Sequence, residues 1–367
     1  MKVAITGLVN SGKTTVFNAL SGLNLETTSY PDHTAEPHVS VVKVPDGRVD
    51  RLSQIFKPKK ITYATIEYVD YIGLTKGVSE QNRKVFDVIR DSDAIVNVIR
   101  GFDDEAVIHP LSAVDPGRDA ETIEMEMIFA DLELIEKRLD RIDEASKKGK
   151  KQDETEKKLL LKCREILEQE TPLRNAELAE DEHKALQHLQ FISIKPVVIV
   201  LNIDEGDLDT ERPGKTLEDI DRFFNSRNAG EQHRYSLLDL CGKIEMEIAQ
   251  LPPDESKAFL DDLRIGEAAR NKLIHASYEL LGLLSFFTVK GDEVKAWTIK
   301  QGTNALKAAG KIHSDIERGF IKVEVVSFDD FIRFGSMAAV REQGLLRLEG
   351  KTYNVIDGDI MNFRFNV

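Results

Sequence analysis

The sequence predicts an α/β protein: a doubly wound, mostly parallel sheet, an inserted antiparallel helical hairpin and a small C-terminal α+β module. Three observations predict it. Strand-sized apolar runs at residues 3–6, 94–99 and 196–201 are separated by helical stretches. Between the last two runs, Ile128, Leu132, Ile135, Leu139 and Ile142 step by 4, 3, 4 and 3, which is a heptad seam. From residue 283 onward the pattern changes to short strands with alternating faces.

Composition sets the outer limits. The chain has 367 residues, 41% hydrophobic and 31% charged. That suits two or three soluble domains rather than disorder. No apolar run approaches the ~20 residues of a membrane span, so no membrane partner is expected. There are 50 Lys+Arg against 64 Asp+Glu, a net charge of −14. Any contact with nucleic acid must therefore be a local patch. Cys163 and Cys241 lie far apart, which argues against a disulfide framework or a zinc ribbon. With no signal peptide read at the start, a cytoplasmic protein is expected.

Each element follows from local pattern. Residues 3–6 form a buried strand that runs through Gly7 into a helix at 13–21. Residues 23–40 lack periodicity and hold Pro31 and Pro37, so a loop is expected. A strand at 39–44 ends at the turn Pro45-Asp46-Gly47. Residues 65–70 alternate and end at Asp70. After the heptad seam comes a polar stretch at 147–154, then Leu160, Cys163 and Leu167, again 3 and 4 apart. This predicts a projecting hairpin with Gly149 near its tip; the plain alternative is two surface helices on the body. In the C-terminal part, strands are expected near 286–289, 296–299, 321–325 and 363–367, with one short helix at 305–309. That part holds 12 Lys+Arg against 11 Asp+Glu, a net of +1. The expected divisions are the sheet domain in two parts (1–125 and 191–282), the hairpin (126–190) and the C-terminal module (283–367).

Gly7-Leu8-Val9-Asn10-Ser11-Gly12-Lys13-Thr14 fits G-x-x-x-x-G-K-[ST] between a strand and a helix. Such a loop turns backbone N–H groups toward phosphates, and the helix N-terminus adds positive potential. Lys13 is expected to reach the β- and γ-phosphates, and the Thr14 hydroxyl to bind Mg²⁺. Asn10, Ser11, Gly12 and Thr15 complete the expected phosphate contacts. Asp70-Tyr71-Ile72-Gly73 places an acid at a strand end, suited to Mg²⁺, and a Gly73 N–H suited to a γ-phosphate. Asn202-Ile203-Asp204-Glu205 ends another strand. It stands where many GTPases carry N-K-x-D, with Ile203 for the Lys and the longer Glu205 for the Asp.

The ordered set of motifs resembles the YchF family, the Obg-like ATPases among the translation-factor P-loop GTPases, over nearly the full length. Lys57-Pro58-Lys59-Lys60 and Ser29-Tyr30-Pro31 resemble its first third. Phe102-Asp103-Asp104, Val114-Asp115-Pro116 and Ala130-Asp131-Leu132-Glu133 resemble the start of its helical insertion. Asn202 and Glu205 match its N-x-x-E. Lys243-Ile244-Glu245 resembles its base-side loop, with Cys241 and Gly242 for the usual Ser and Ala. Arg318-Gly319-Phe320-Ile321 and Leu348-Glu349-Gly350-Lys351 resemble its TGS domain, a β-grasp fold. The resemblance implies a Mg²⁺-dependent switch that hydrolyses ATP, GTP or both and associates with ribosomes. It implies that Thr34 is the switch threonine, closing on metal and γ-phosphate. Leu74 sits where many GTPases keep a water-positioning Gln, and the resemblance offers His109 for that role. A surface histidine is the plain alternative.

The chain also departs from the family pattern. Val9 replaces a Pro, Ile72 a small residue and Asp32 an aromatic. After Ser79 a Gly-rich stretch is missing, and Glu80-Gln81-Asn82-Arg83-Lys84 follows directly. A shorter, Gly-poor switch is expected to be less plastic, with nucleotide binding intact and hydrolysis altered.

Weaker signals remain. Lys57, Lys59, Lys60 and the lysines at 147–151 are basic clusters suited either to solvent or to ribosomal RNA. Trp297, Phe286 and Phe287 read as core. Glu121, Glu124 and Glu126 read as a solvent-facing helix side rather than a metal site. A monomer is expected. A nucleotide-gated ribosome- or RNA-binding module with little turnover is the alternative to the switch, and a metabolic kinase is a distant third.

Overall fold

The computed structural model describes residues 1–27, 36–148, 154–227, 234–262 and 267–366. In chain order the elements are β1 (Lys2–Thr6), α1 (Lys13–Ser21), β2 (His38–Lys43), α2 (Gly47–Phe56), β3 (Lys60–Thr62), β4 (Thr65–Asp70), α3 (Ser79–Arg90), β5 (Ala94–Arg100) and α4 (Pro116–Lys147). Then come α5 (Glu154–Glu168), α6 (Glu180–Leu186), β6 (Val197–Asn202), α7 (Arg212–Ser226), β7 (Tyr235–Leu240), α8 (Gly242–Gln250), α9 (Pro253–Asp262) and α10 (Ala269–Leu280). The C-terminal part adds β8 (Leu283–Lys290), β9 (Glu293–Lys300), α11 (Ala305–Ile312), α12 (Ser314–Arg318), β10 (Phe320–Ser327), α13 (Phe328–Phe334), α14 (Met337–Glu342), β11 (Arg347–Glu349) and β12 (Asp359–Phe365). These elements divide into two units, Met1–Val41 with Glu67–Leu280, and Val42–Ile66 with Leu281–Val367.

The first unit carries a six-stranded sheet in the order β2-β4-β1-β5-β6-β7. β1 runs parallel to β4 and β5, and β6 runs parallel to β5 and β7. Every residue of β5 and β6 is buried, as in strands covered by helices on both faces. The five strands expected in this region are present. β7 was not expected: Tyr-Ser-Leu-Leu-Asp-Leu is a half-buried edge strand with neither clean alternation nor a continuous apolar run.

The helical hairpin is present, with an earlier start than the expected residue 126. α4 begins at Pro116, where the Asp115 side chain caps the Arg118 N–H and proline occupies the first turn. α5 returns antiparallel, with Arg138 paired to Glu156 and Arg164 to Glu136. Ile128, Ile135 and Leu139 from α4 meet Leu160, Cys163 and Leu167 from α5 in a core of their own. The expected tip at Gly149 lies outside the described residues.

The acidic side of α4 corrects the sequence reading. Glu121 is exposed, but Glu124 and Glu126 are buried. Glu124 pairs with buried Arg174, and Glu126 accepts hydrogen bonds from Gly77 and Asn82. One turn further, the fully buried Asp131 carboxylate accepts the Ile192 and Ser193 N–H groups at 2.9 and 2.7 Å. Burial pushes the Asp131 carboxyl up to about 6, against the pull of those donors.

The second unit holds a sheet in the order β11-β10-β12-β8-β9-β3. β8 and β9 form an antiparallel hairpin, β12 lies parallel to β8, and α11 packs Ala305, Ala308 and Ala309 into the core. Phe286 and Phe287 are buried, and Trp297 stacks on Phe286 while donating to the Thr288 hydroxyl. Phe286 and Phe287 are core, as expected, whereas Trp297 is half-buried against it. The expected first segment, 1–125, does not stay in one unit. Phe56 of α2 stacks on Phe331 with centroids 5.2 Å apart, and Arg48 pairs with Asp357 at 2.6 Å. β3 adds to β9 as a parallel edge strand.

Asp131→Ala strands two buried N–H donors at the base of the hairpin. We expect a loss of about 3 kcal/mol in urea unfolding, with Asp131→Asn losing less because it keeps one acceptor.

Candidate functional site

The functional residues gather at the carboxyl ends of the parallel strands. Gly7 leaves β1 with φ 150°, and a Cβ there would lie 2.3 Å from the Val98 carbonyl oxygen. Asn10 adopts a left-handed conformation, and its side chain donates to the Ile108 carbonyl at 2.9 Å. α1 follows with Gly12 (φ 88°) at its N-cap and no side-chain cap, which leaves its first-turn N–H groups without a hydroxyl or carboxylate acceptor. Lys13 is buried and donates to the Leu8 carbonyl at 2.9 Å. Burial pushes its ammonium down to about 8, partly opposed by Asp70.

The Thr14 hydroxyl donates to Asp70 Oδ2 at 2.8 Å. Asp70 is 2% exposed, and burial pushes its carboxyl up against the pull of Lys13 and Thr14. Its other oxygen, Oδ1, has no hydrogen-bond partner, and neither has the buried Ser11 hydroxyl. Unpartnered buried oxygens of this kind are costly unless a ligand completes them. An oxygen-only pair, one hydroxyl and one carboxylate with a free lone-pair site, fits Mg²⁺. Thr34, the third expected ligand, lies outside the described residues, as does Asp32.

After Asp70 the chain folds onto the phosphate loop. The Leu74 N–H donates to the Gly7 carbonyl at 2.8 Å, and the Val9 N–H donates to the Leu74 carbonyl at 3.2 Å. Gly73 is pressed so close that a Cβ would lie 2.6 Å from Val9 N and 2.7 Å from Lys13 Nζ. The Leu74 side chain is fully buried in the sheet core with Leu8, Val85 and Ile123. It anchors this segment and points away from solvent.

At the end of β6, Asn202 joins two loops. Its amide donates to the Ser11 carbonyl at 3.1 Å and accepts the Gly242 N–H at 2.9 Å. Gly12 has to be glycine here, since a Cβ would sit 2.2 Å from Asn202 Nδ2. Thr15 reaches the same junction: its methyl would lie 3.4 Å from a Cβ on Gly242. Cys241 is buried at the start of α8, and burial pushes its thiol up. Ile203, in place of the usual Lys, is buried in the core, whereas Glu205 is exposed and opens a short 3₁₀ turn.

His109 is not a surface histidine. Its side chain is 4% exposed, Nε2 lies 2.8 Å from Asp119 Oδ2, and Nδ1 accepts the Leu111 N–H at 3.0 Å. With Nδ1 an acceptor, the proton sits on Nε2, and both ring nitrogens are committed. The ring is therefore turned to α4 in this arrangement. Sequence reasoning missed what holds the loop before it. Arg100, 3% exposed, donates to the carbonyls of Phe102, Asp104 and Val107 and stacks on the Phe102 ring at 4.5 Å. The available signal was an arginine closing an otherwise apolar strand.

A G-x-x-x-x-G-K-T loop between a parallel strand and a helix, its threonine against a strand-end aspartate, defines a P-loop NTPase. Comparison with known proteins agrees. Residues 2–130 match the family described as "50S ribosome-binding GTPase", and residues 283–366 match the YchF GTPase C-terminal family, described as a protein of unknown function. A ribosome-binding ATPase YchF from Bacillus subtilis (strain 168) is 40% identical over 370 residues, covering 100% of both chains. One from Escherichia coli O157:H7 is 37% identical over 369 residues, covering 100% of this chain and 99% of that one. The structure of the Schizosaccharomyces pombe YchF GTPase matches with a TM-score of 0.81 at 28% identity, over 99% of this chain and 97% of that one. The chain belongs to the YchF family.

Asn202→Ala removes both bonds that join the phosphate loop to the base-side loop. We expect affinity for a fluorescent nucleotide to fall about tenfold, with a stability loss of about 2 kcal/mol in denaturant unfolding.

Proposed function

We propose that this protein binds a nucleoside triphosphate and hydrolyses its β–γ bond, slowly, as a Mg²⁺-dependent switch acting on the ribosome. The observation that carries the reading is the Thr14–Asp70 contact, in which the second, buried Asp70 oxygen has no hydrogen-bond partner. Lys13 and the first-turn amides of α1 would take the β- and γ-phosphates, and Gly73 would meet the γ-phosphate through its N–H. Thr14 and Asp70 would hold the metal, with Thr34 joining them. When bound, Mg²⁺ neutralises charge that develops on the phosphate oxygens. Asn202, Glu205 and the Cys241–Gly242 turn would receive the base, and the exchange of N-K-x-D for N-x-x-E relaxes the choice between ATP and GTP.

No Gln is available at position 74 to orient water, so His109 is the candidate. To serve, its ring has to leave Asp119. That requirement and the short segment after Ser79 point to slow turnover, below that of an unshortened relative under the same conditions. They also favour a second reading, a nucleotide-gated ribosome- or RNA-binding module with little turnover.

The ribosome enters from the relatives, which carry the name ribosome-binding ATPase. Exposed Lys57, Lys147 and Lys148 are the candidate contacts to ribosomal RNA. Lys59 and Lys60 are less available, since they face Asp292 and Glu293. We propose a cytoplasmic monomer; among the described residues no helix is long and apolar enough to cross a membrane.

The test is titration with fluorescent ATP and GTP analogues, followed by multiple-turnover phosphate release. Lys13→Ala should bind about 10- to 100-fold more weakly, and chelation of Mg²⁺ should reduce phosphate release to background. Wild-type protein that binds but releases no phosphate selects the second reading. Wild-type protein that binds neither nucleotide overturns both.

A further inference from the structure

Two polar residues outside the nucleotide site hold the segment that follows Gly73. Asn82, in the first turn of α3, is 1% exposed. Its Oδ1 accepts the Thr75 N–H at 2.9 Å, and its Nδ2 donates to the Thr75 carbonyl at 2.8 Å. The same Nδ2 donates to Glu126 Oε2 at 3.0 Å, while Glu126 Oε1 accepts the Gly77 N–H at 2.7 Å. Glu126 lies on α4, among the buried apolar residues Ile123 and Met127. A carboxylate is costly in such a place unless donors meet it, and an apolar residue would pack there without that cost. One of its oxygens instead meets the segment between Gly73 and α3 at Gly77, and the other meets Asn82, which holds that segment at Thr75.

That segment is tied at its other end too. Leu74 exchanges backbone hydrogen bonds with Gly7 and Val9, and Gly73 lies against Lys13 Nζ. An unbroken path of short contacts thus runs from Lys13 through Gly73, Leu74, Thr75 and Asn82 to Glu126. Glu126 is one turn from Asp131, whose carboxylate fixes the return of the hairpin.

We propose that Asn82 and Glu126 are positioning residues that set Gly73 for the γ-phosphate and pass its displacement to α4, the first limb of the helical hairpin. This rests on the reading of the site as a nucleoside-triphosphate switch. The clamp acts through backbone groups and touches no nucleotide. Losing it should therefore spare recognition of the diphosphate and impair what depends on the third phosphate.

The experiment uses full-length wild-type protein, Glu126→Gln, Glu126→Ala and Asn82→Ala. Affinity is measured for ADP and for a non-hydrolysable ATP analogue, with kcat and KM for ATP and hydrogen exchange of α4 in each state. Melting temperatures show which variants fold. We expect ADP affinity within about twofold of wild type, the analogue's preference over ADP reduced about tenfold, and kcat reduced more than KM is raised. The analogue should protect residues 126–147 from exchange in wild type and not in the variants. Glu126→Gln, which keeps the acceptor for Gly77, should fall between wild type and Glu126→Ala. Equal weakening of ADP and analogue, or wild-type discrimination with wild-type exchange in folded Asn82→Ala, would overturn the clamp while leaving the nucleotide site intact. Wild-type protein blind to both nucleotides would instead overturn the reading on which it rests.

Discussion

Parallel register is the constraint on which the rest of the first unit depends. Ile5 lies opposite Asp70, Thr6 opposite Asn97, Arg100 opposite Asn202, and Asn202 opposite Leu240. This row of strand ends places the phosphate loop, the acid, the Arg100 loop and the two base-side loops along one edge of one sheet. A slip by a single residue would exchange the two faces of a strand; β5 and β6 are buried on both faces, so the fit of their side chains to each packed layer holds the register. The chemistry is local, but its geometry comes from buried apolar residues such as Val96, Val98, Ile199 and Leu201.

Within that frame the protein uses hydrophobic burial where many GTPases use a polar group. Leu74 anchors its segment in the core, and Ile203 does the same for the base-side loop. Each fixes a loop by removing apolar surface from water, at a few kcal/mol per side chain. Each also leaves a chemical role to another residue. On the function proposed above, water positioning would fall to a loop held by Arg100, and base recognition to Asn202 and the exposed Glu205.

What could be read from the sequence follows how local each feature is. The phosphate loop was legible because its spacing dictates backbone conformation directly: Gly7 and Gly12 are where the chain needs glycine. The hairpin was legible because Ile128, Ile135 and Leu139 repeat at helical spacing and find Leu160, Cys163 and Leu167 across a short turn. Glu124, Glu126 and Asp131 were misread or passed over. Helical periodicity separates apolar from polar faces, but it does not separate water from a buried partner such as Arg174, 50 residues away. His109 was recognised as a candidate, whereas its pairing with Asp119 follows from tertiary structure. β7 was hidden by its edge position, where one face needs no apolar residue.

The membership of residues 42–66 in the second unit has a consequence for how the chain is made. α2 and β3 leave the ribosome more than two hundred residues before the strands they pack against. Synthesis is vectorial, at about 5–20 residues per second. During that interval Phe56 has no Phe331 to stack on, and Arg48 has no Asp357. The unit can finish only when β12, at the far C-terminus, has emerged. The nucleotide-binding sheet, complete once β7 is out, is ready well before it. Maturation therefore has a fixed order, and a polypeptide stopped before β8 would carry α2 and Phe56 without the strands and the Phe331 ring they pack against.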